Sequence, residues 1–583
     1  MNEPVQHGQS LIAIDVGSAN TRAHFFDVVE GRYRFLATGE VPSTGGAPAF
    51  DINLGVLEAL NRLQELIGRT LVSSEGLHIS PDNEGGVGAN AVSASFSAGQ
   101  PVKLVTVGLL EGVSLDSVNK LAGSNYCQVV GSFNLNDRRK PEAIIDSICQ
   151  SLPDIILMAG GTNRGASRSV VRLANYIALA LKLIPESSRP QVLFAGNESL
   201  AEELDQLLGA LTGVHHAPNI RPSLDQENLT PAEQKLRELA FDVQAKRLTG
   251  LQEFRGLAEG ELYPSAAALG RIVRFFSTVV DPPKGVLGVD LGAAHTTVAA
   301  AFGGDQRLRV FSDLGIGGSL SGMLAETHLS QIMRWIPYDL SDEAVLDYLH
   351  NKPLFPNSLP TSLEELAIEQ AAARQVMRLA IGKSLALLPP DAIYPLPGTV
   401  PWFDRVLVSG AAVSRAPRLE QSLMMILDAL QPVGIATIIL DQNNLGASLG
   451  AAAGLDALLA VQVLESNAFM NLGTVISPVG RGRGGPLLRI QVVRNGQKEP
   501  VVDVHEGGLR VIPLPQGQVA DLYVQPLQNV NIGLGPGRGG WVRRVVGGAF
   551  GLVIDARGRP IQVPSAFNQR REALLAWQEA LRS

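Results

Sequence analysis

Two stretches of the chain share one pattern: LIAIDVGSANTRAHFFDV, residues 11–28, and GVLGVDLGAAHTTVAAAF, residues 285–302. Each runs an apolar segment into Asp, any residue and Gly, crosses a turn of small residues, and resumes with Thr and a second apolar segment. These types suit a phosphorylated ligand. Glycine, here Gly17 and Gly292, lets backbone N–H groups come close to phosphate oxygens, and serine or threonine hydroxyls add donors. The carboxylate at the strand end, Asp15 or Asp290, can hold a magnesium ion directly or through its water shell and can orient an attacking water. One DxG turn reads equally well as plain structure. Two of them, some 275 residues apart, can clamp a triphosphate from both sides.

Positioning such residues takes strands that end at the carboxylates. LIAIDV is a short apolar run, GSANT supplies the turn and RAHFFDVV resumes, which predicts a β-hairpin at 11–28, and the same reading gives a second at 285–302. A helix is predicted over Leu54–Leu66, capped by Asp51 or Asn53. Between about 90 and 230 strand, glycine turn and helix alternate: 102–110, 154–161 and 191–197 each lead into a helical pattern, which predicts a parallel sheet in an inserted α/β unit. A helix opened by Thr230 and Pro231 follows. Long helical periodicity marks 364–388, a strand 405–413, and IATIILDQNNLGASLGAAAGLDAL reads as strand, turn and small-residue helix. From about 471 short β-like segments and many glycines replace this texture, ending in one helix, NQRREALLAWQEALR.

Composition narrows the function classes. The chain has 583 residues, 45% of them hydrophobic, enough for several cores. Its net charge of -8 argues against nucleic acid as partner of the whole molecule. The C-terminal stretch from Asn471 is the exception, with 14 Lys and Arg against 7 Asp and Glu, which points to a separate module. No run of about 18 uncharged apolar residues occurs, and MNEPVQHGQS lacks the features of a secretory signal, so a cytoplasmic protein with no membrane contact is expected. Cys127 and Cys149 are the two cysteines, in no CxxC pair, and are expected as buried free thiols.

At these residues the sequence resembles a known arrangement. IDVGSANTR (14–22) is similar to the first phosphate loop of the superfamily of actin, heat-shock chaperone and sugar-kinase ATPases, VDLGAAHTT (289–297) to the second, and VLVSGAAVS (406–414) stands where that superfamily places its adenosine motif. The resemblance implies that Asp15 and Asp290 hold magnesium and position water. It implies that Ser18, Asn20, Thr21, His295, Thr296 and Thr297 line the phosphates, and that Gly410 and Ala411 face adenosine. The superfamily motif usually carries two consecutive glycines, whereas here Gly410 is followed by Ala411 and Ala412.

A narrower resemblance rests on AGGTNRGASRSVVRLANYIA (159–178), LFAGNESLAEEL (193–204), APNIRPSLDQENLTPAEQKLREL (217–239), FSDLGIGGSL (311–320) and IILDQNNLGASLGAAAG (438–454). In this order, over roughly residues 10–460, they resemble the glutamate mutase accessory protein family, called GlmL or MutL, unrelated to the mismatch-repair protein of the same name. The family motif usually reads GGTDGG; here residues 160–165 are GGTNRG. The resemblance implies an α/β protein: a duplicated actin-like (ribonuclease H-like) ATPase core with an inserted α/β domain, followed by a C-terminal β-rich domain. The expected bounds are 1–88 for the first part of the core, 89–230 for the insert, 231–465 for the rest of the core including the second lobe, and 466–583 for the C-terminal domain. It further implies ATP and Mg2+ as cofactors, slow ATPase activity, and a cobalamin-dependent mutase as the protein partner. A small-molecule kinase of the same superfamily and a nucleotide-sensing scaffold without useful hydrolysis are the alternatives.

Other residues carry weaker signals. The turn GGTNRG at the carboxyl end of a predicted strand is either a ligand site or an ordinary βα turn. Asn197 reads as a helix cap, and Asp313 either as an acidic strand end that approaches the nucleotide cleft or as a turn leading to a helix capped by Ser319. His215 and His216, adjacent on a strand, face opposite sides and do not share a metal. The RGRGG (481–485) and GLGPGRGGWVRR (533–544) stretches suit either phosphate or RNA binding or β-turns with solvated arginines, and the scarcity of aromatics to stack bases favours turns in a partner-binding module.

Overall fold

The computed structural model describes residues 10–73, 76, 77, 87–389, 392–480 and 482–582. The first nine residues, on which the reading of the N-terminus rests, and Arg481 of the RGRGG stretch lie outside the described residues. The chain folds into two units, residues 43–55 with 97–256 forming one and the rest the other.

In the larger unit, LIAIDV forms the strand Leu11–Val16, buried along its whole length, and Asn20–Val29 returns antiparallel to it. A third strand, Arg32–Pro42, that the sequence reading did not separate continues the meander. Glu30 and Gly31, with φ of 52° and 75°, make the two-residue turn that permits it. On the other side of Leu11–Val16 lie, in parallel, Ala91–Phe96 and then the two-residue strand Tyr263–Pro264. The second sheet repeats this order. Asp305–Phe311, Thr296–Phe302 and Gly285–Leu291 are antiparallel neighbours, and Phe403–Ser409 and Gly434–Leu440 follow in parallel. Two lobes with the same strand order are the duplicated core that the sequence leads one to expect.

Each lobe sends one helix into their shared core, Ser265–Thr278 from the first and Gly446–Ala452 from the second. Leu269, Ile272 and Val273 pack there with Leu445, Leu449 and Ala452, beside Leu11 and Val286. The two backbones touch at one place: a Cβ on Gly450 would lie 1.9 Å from the carbonyl oxygen of Ala268. The second lobe is thickened by the helix Leu363–Ser384, which buries Ala371, Val376 and Met377 against the helix Leu419–Leu430. No helix among the described residues is long and apolar enough to cross a membrane.

The stretch from 466 onward, expected as a separate β-rich domain, is divided between two sheets. Met470–Ser477, Leu552–Asp555 and Leu509–Ile512 extend the second-lobe sheet beyond Gly434–Leu440, because that edge is apolar and these strands bury nearly every residue on it. Pro486–Arg494, Gln497–Lys498, Val502–His505, Val519–Pro526 and Gly540–Val546 make a smaller antiparallel sheet. The terminal helix, Phe567–Arg582, buries Leu574, Trp577 and Leu581 in the second-lobe core. Beneath it Arg557 bridges Asp555 and Asp428 at 2.8 and 2.7 Å, Arg559 joins Asp555 and Arg374 joins Asp428, all of them buried.

The smaller unit is a five-stranded parallel sheet ordered Cys127–Phe133, Val102–Val107, Ile155–Met158, Gln191–Phe194, Val214–His216, with helices between strands. Its extent departs from the expected 89–230. Ala91–Phe96 belongs to the first-lobe sheet, while Leu236 and Leu239 of the helix Thr230–Ala245 are buried on this one. Asn219 pins the GGTNRG turn, donating from Nδ2 to Gly161 O at 3.0 Å and to Asn163 Oδ1 at 2.8 Å. Asn197 does cap: its Oδ1 accepts from the Ser199 N–H. Ser319 precedes the helix Leu320–Glu326 but donates its hydroxyl to Ser312 O, with no cap bond from its side chain. Of the two free thiols Cys127 is buried and Cys149 only half-buried.

Candidate functional site

Residues directly opposed in a ladder put their side chains on one face of the sheet. In the first lobe Asp15 stands opposite both Ser95 and Arg22, and Arg22 opposite Glu40, so the four form a row across four strands. In the second, Asp290 stands opposite Ser409 and Thr297. The rows correspond position by position, Asp15 with Asp290, Ser95 with Ser409, Arg22 with Thr297. The hairpin turns close alike: Gly17 N–H donates to Asn20 O at 3.0 Å and Gly292 N–H to His295 O at 2.9 Å.

Asp15 is buried, and its Oδ1 accepts from the hydroxyls of Ser95 at 2.6 Å and Ser265 at 2.8 Å. A third carboxylate, Asp441, follows the strand Gly434–Leu440. It accepts from the N–H groups of Leu445 at 2.8 Å and Gly446 at 2.7 Å and from Ser409 Oγ at 3.2 Å. These carboxylates feel one another. Enclosure of its carboxyl, then the charges of Asp15 and Asp441, push Asp290 up to about 6, against the pull of Arg22 and Ser409. Burial also raises Asp441, opposed by the amide donors it accepts from. Arg22 is the buried cation of the cluster. It reaches Glu40 Oε1 at 3.3 Å, and its Nε is buried with no hydrogen-bond partner among the described residues. Glu40 in turn pairs with Arg415, and although burial works to raise the Glu40 carboxyl, Arg22 and Arg415 hold it below the usual range.

The charges of Asp15 and Asp441 act on Asp290, but among the described residues no group of three or more His, Cys, Asp or Glu side chains is placed to hold a metal ion, so a cation here would take phosphate oxygens and water beside carboxylate oxygen. The single guanidinium beside these carboxylates, with a donor to spare, is what a phosphate would meet.

The residues expected to line phosphate divide by face. Thr297 shares the face of Asp290. Thr21 and Thr296 lie in register with Val16 and Leu291, on the opposite faces; both are buried, and Thr296 Oγ1 donates to Leu314 O at 2.8 Å. Ser18 is half-buried in the first turn and Asn20 half-buried at the start of the returning strand. Burial pushes the His295 imidazole down to about 4, so it is neutral at physiological pH. The segment 314–317 packs on the second turn: Ile316 and Gly317 donate their N–H groups to Gly292 O and Ala293 O, and a Cβ on Gly315 would lie 2.5 Å from Ala293 O. Gly410, at φ 109°, donates to Asn444 Oδ1 at 3.2 Å, and a Cβ there would come within 2.2 Å of Leu291 O. Ala411 begins the short helix Ala411–Ser414 and is half-buried.

Sequence reading missed Arg22, Ser95, Ser265, Ser409 and Asp441 as members of this cluster. Asp441 carried a legible signal, since IILD ends an apolar strand in a carboxylate as IAID and GVD do. Arg22 becomes visible once the hairpin register is counted, because a tight turn between Asp15 and the returning strand puts it directly opposite.

The family model described as MutL protein matches residues 11–468. Protein MutL of Clostridium tetanomorphum is 22% identical over 318 residues, which are 51% of this chain and 65% of that protein, so the match spans less than two thirds of the relative's length. Among solved structures, a nucleotide-free acetone carboxylase is 11% identical, covering 88% of this chain and 82% of that one at a TM-score of 0.33. A glycerol dehydratase reactivase is 11% identical, covering 77% and 100% at 0.30.

Proposed function

This chain belongs to the MutL protein family, and on that premise we propose that it is a cytoplasmic, ATP-binding and slowly hydrolysing accessory protein that reactivates or assembles an adenosylcobalamin-dependent mutase. The observation that carries the nucleotide part is the convergence of Asp15, Asp290 and Asp441 at strand ends of two like lobes, with Arg22 beside them. Asp15 and Asp290 would hold Mg2+ together with phosphate oxygens and water, and the ion would neutralise phosphate charge when bound. Arg22 binds and orients the phosphate chain, with Thr297 adding a hydroxyl on the same face. Ser95 and Ser265 fix the orientation of Asp15 by donating to its Oδ1. Asp290, ionised above about pH 6, accepts a hydrogen from water and orients it for attack. The turn at Gly410, where only glycine fits, sets the wall on which the base rests.

Binding and turnover of Mg–ATP by the purified protein test this, beside Asp15→Asn and Asp290→Asn at matched folding. Both variants should lose turnover by about a hundredfold or more. Wild-type protein should then restore a substrate-inactivated mutase only with ATP. Absence of nucleotide binding in the wild type, or phosphorylation of an added metabolite in place of water, overturns the reading.

A further inference from the structure

The loop of residues 352–362, with Leu363 at the start of the helix that follows, turns its inner side to the candidate nucleotide site and its outer side to solvent. Inside, Lys352 is buried and ties the loop down, its Nζ 2.6 Å from both Ser358 O and Glu369 Oε2. Asn357 Nδ2 donates a long hydrogen bond, 3.5 Å, to Ala19 O in the first phosphate turn. Pro356 lies beside Gly317 of the segment packed on the second: a Cβ on Gly317 would be 3.1 Å from Pro356 Cβ and equally close to Ala293 Cβ. Outside, Leu354, Phe355, Leu359 and Leu363 are 70%, 67%, 81% and 66% exposed. Single exposed apolar residues are ordinary, but four large ones within ten positions of a loop anchored this firmly mark a contact surface. The sequence on either side of them has one sign. Asp339, Asp342, Glu343, Asp347 and Glu364 are exposed, and between 339 and 365 the only Lys or Arg is the buried Lys352.

We propose that this loop is a docking surface for a protein segment that is apolar on one face and basic at its margins, carried by a partner other than a second copy of this chain. The apolar side chains supply contact area and the acidic rim selects basic flanks. Because the loop leans on the first phosphate turn and on the segment packed on the second, docking reads the nucleotide state; that second clause rests on the proposed nucleotide site, whereas the docking itself does not.

The test uses the full chain and two synthetic 18-residue helical peptides, one of Leu and Lys in amphipathic spacing and one with Glu in place of Lys. Wild type should bind the Leu/Lys peptide. Leu354→Ser/Phe355→Ser/Leu359→Ser, all on exposed positions, should bind it about tenfold or more weakly at unchanged thermal stability and nucleotide affinity. Glu343→Lys/Asp347→Lys/Glu364→Lys should shift preference to the Leu/Glu peptide. Equal binding by wild type and the serine variant overturns the docking surface, and self-association of the wild type that the serine variant abolishes assigns the face to a second copy and overturns the proposal as well. Peptide affinity that differs between ATP and ADP supports the nucleotide clause, and equal affinities overturn it. Nucleotide titration without peptide separates a failure of the site from a failure of the surface.

Discussion

At the scale of single residues, two carboxylates make opposite demands on pH. Asp290 has its proton affinity raised from 3.8 to about 6, so between those values the folded chain binds more protons than the unfolded one. Its ionisation therefore lowers the stability of the ligand-free protein as pH rises through that window. A cation reverses this, since it binds the ionised form. Mg–ATP affinity should climb as pH rises from about 5 to 7 and level off above, and Asp290→Asn should flatten that rise; calorimetric titration at several pH values checks both, and an affinity independent of pH in the wild type sinks the assignment. Asp555 behaves oppositely. Burial works to raise its carboxyl, but Arg557 and Arg559 hold it well below the ordinary range, so its contribution is complete above about pH 4 and is lost as pH falls below that. Removing one member of its network leaves a buried charge unpaired. Asp428→Ala, which strands Arg374 and takes one of the two carboxylates from Arg557, should cost about 3–5 kcal/mol in denaturant unfolding, and a loss under about 1 kcal/mol would show the network to be dispensable. Asp15 and Asp290 were legible in sequence because one short motif announces each. The buried network was not, since Asp428 and Arg557 lie 129 positions apart and nothing local marks either as buried.

At the scale of elements, glycines in helices show what sequence conceals. Gly450 and Gly382 both sit in or beside small-residue helical sequence and look alike in the chain. Their surroundings differ completely. A Cβ on Gly450 would press to 1.9 Å from a carbonyl of the opposing helix, while one on Gly382, in the helix Leu363–Ser384, would meet nothing within 4 Å. Gly382→Ala should stabilise by about 0.5–1 kcal/mol, the difference in helix propensity. Gly450→Ala should destabilise by about 1–3 kcal/mol, because the shared helix pair of the two lobes must part. Thermal unfolding of the two variants decides it: if both move the midpoint in the same direction, the helix crossing is not a tight contact. The hairpins, the helix Ile52–Ile67 and the parallel strands of the smaller unit follow from periods and turns that are local in the chain. The third strand of the first lobe escaped because its alternation runs on from the preceding strand with only Glu30 and Gly31 between them. The C-terminal strands were recognised as strands but not as members of the second-lobe sheet, for which edge they join is a matter of long-range pairing, and the glycine content of the intervening turns gave that stretch the texture of a separate domain.

At the scale of the molecule, the two lobes share one candidate site, and one of the side chains that connect them at its rim is Glu40. Glu40, on the last strand of the first-lobe meander, pairs with Arg22 of its own sheet and with Arg415, which follows the short helix beginning at Ala411 in the second lobe. A phosphate that engages Arg22 competes with Glu40 for it and leaves Glu40 to Arg415, so ligand binding and the bridge between lobes share one guanidinium. Glu40→Gln removes both pairings. It should speed release of a fluorescent ATP analogue by roughly threefold to thirtyfold, equivalent to about 0.7–2 kcal/mol of lost closure. Arg415→Ala should do the same, and the double variant should release no faster than either single one, because both break the same bridge. Stopped-flow release rates for the three variants distinguish the cases: additive effects would mean that Glu40 acts on Arg22 alone, and a release rate unchanged by Arg415→Ala would show that closure is held by the helix crossing and not by this pair.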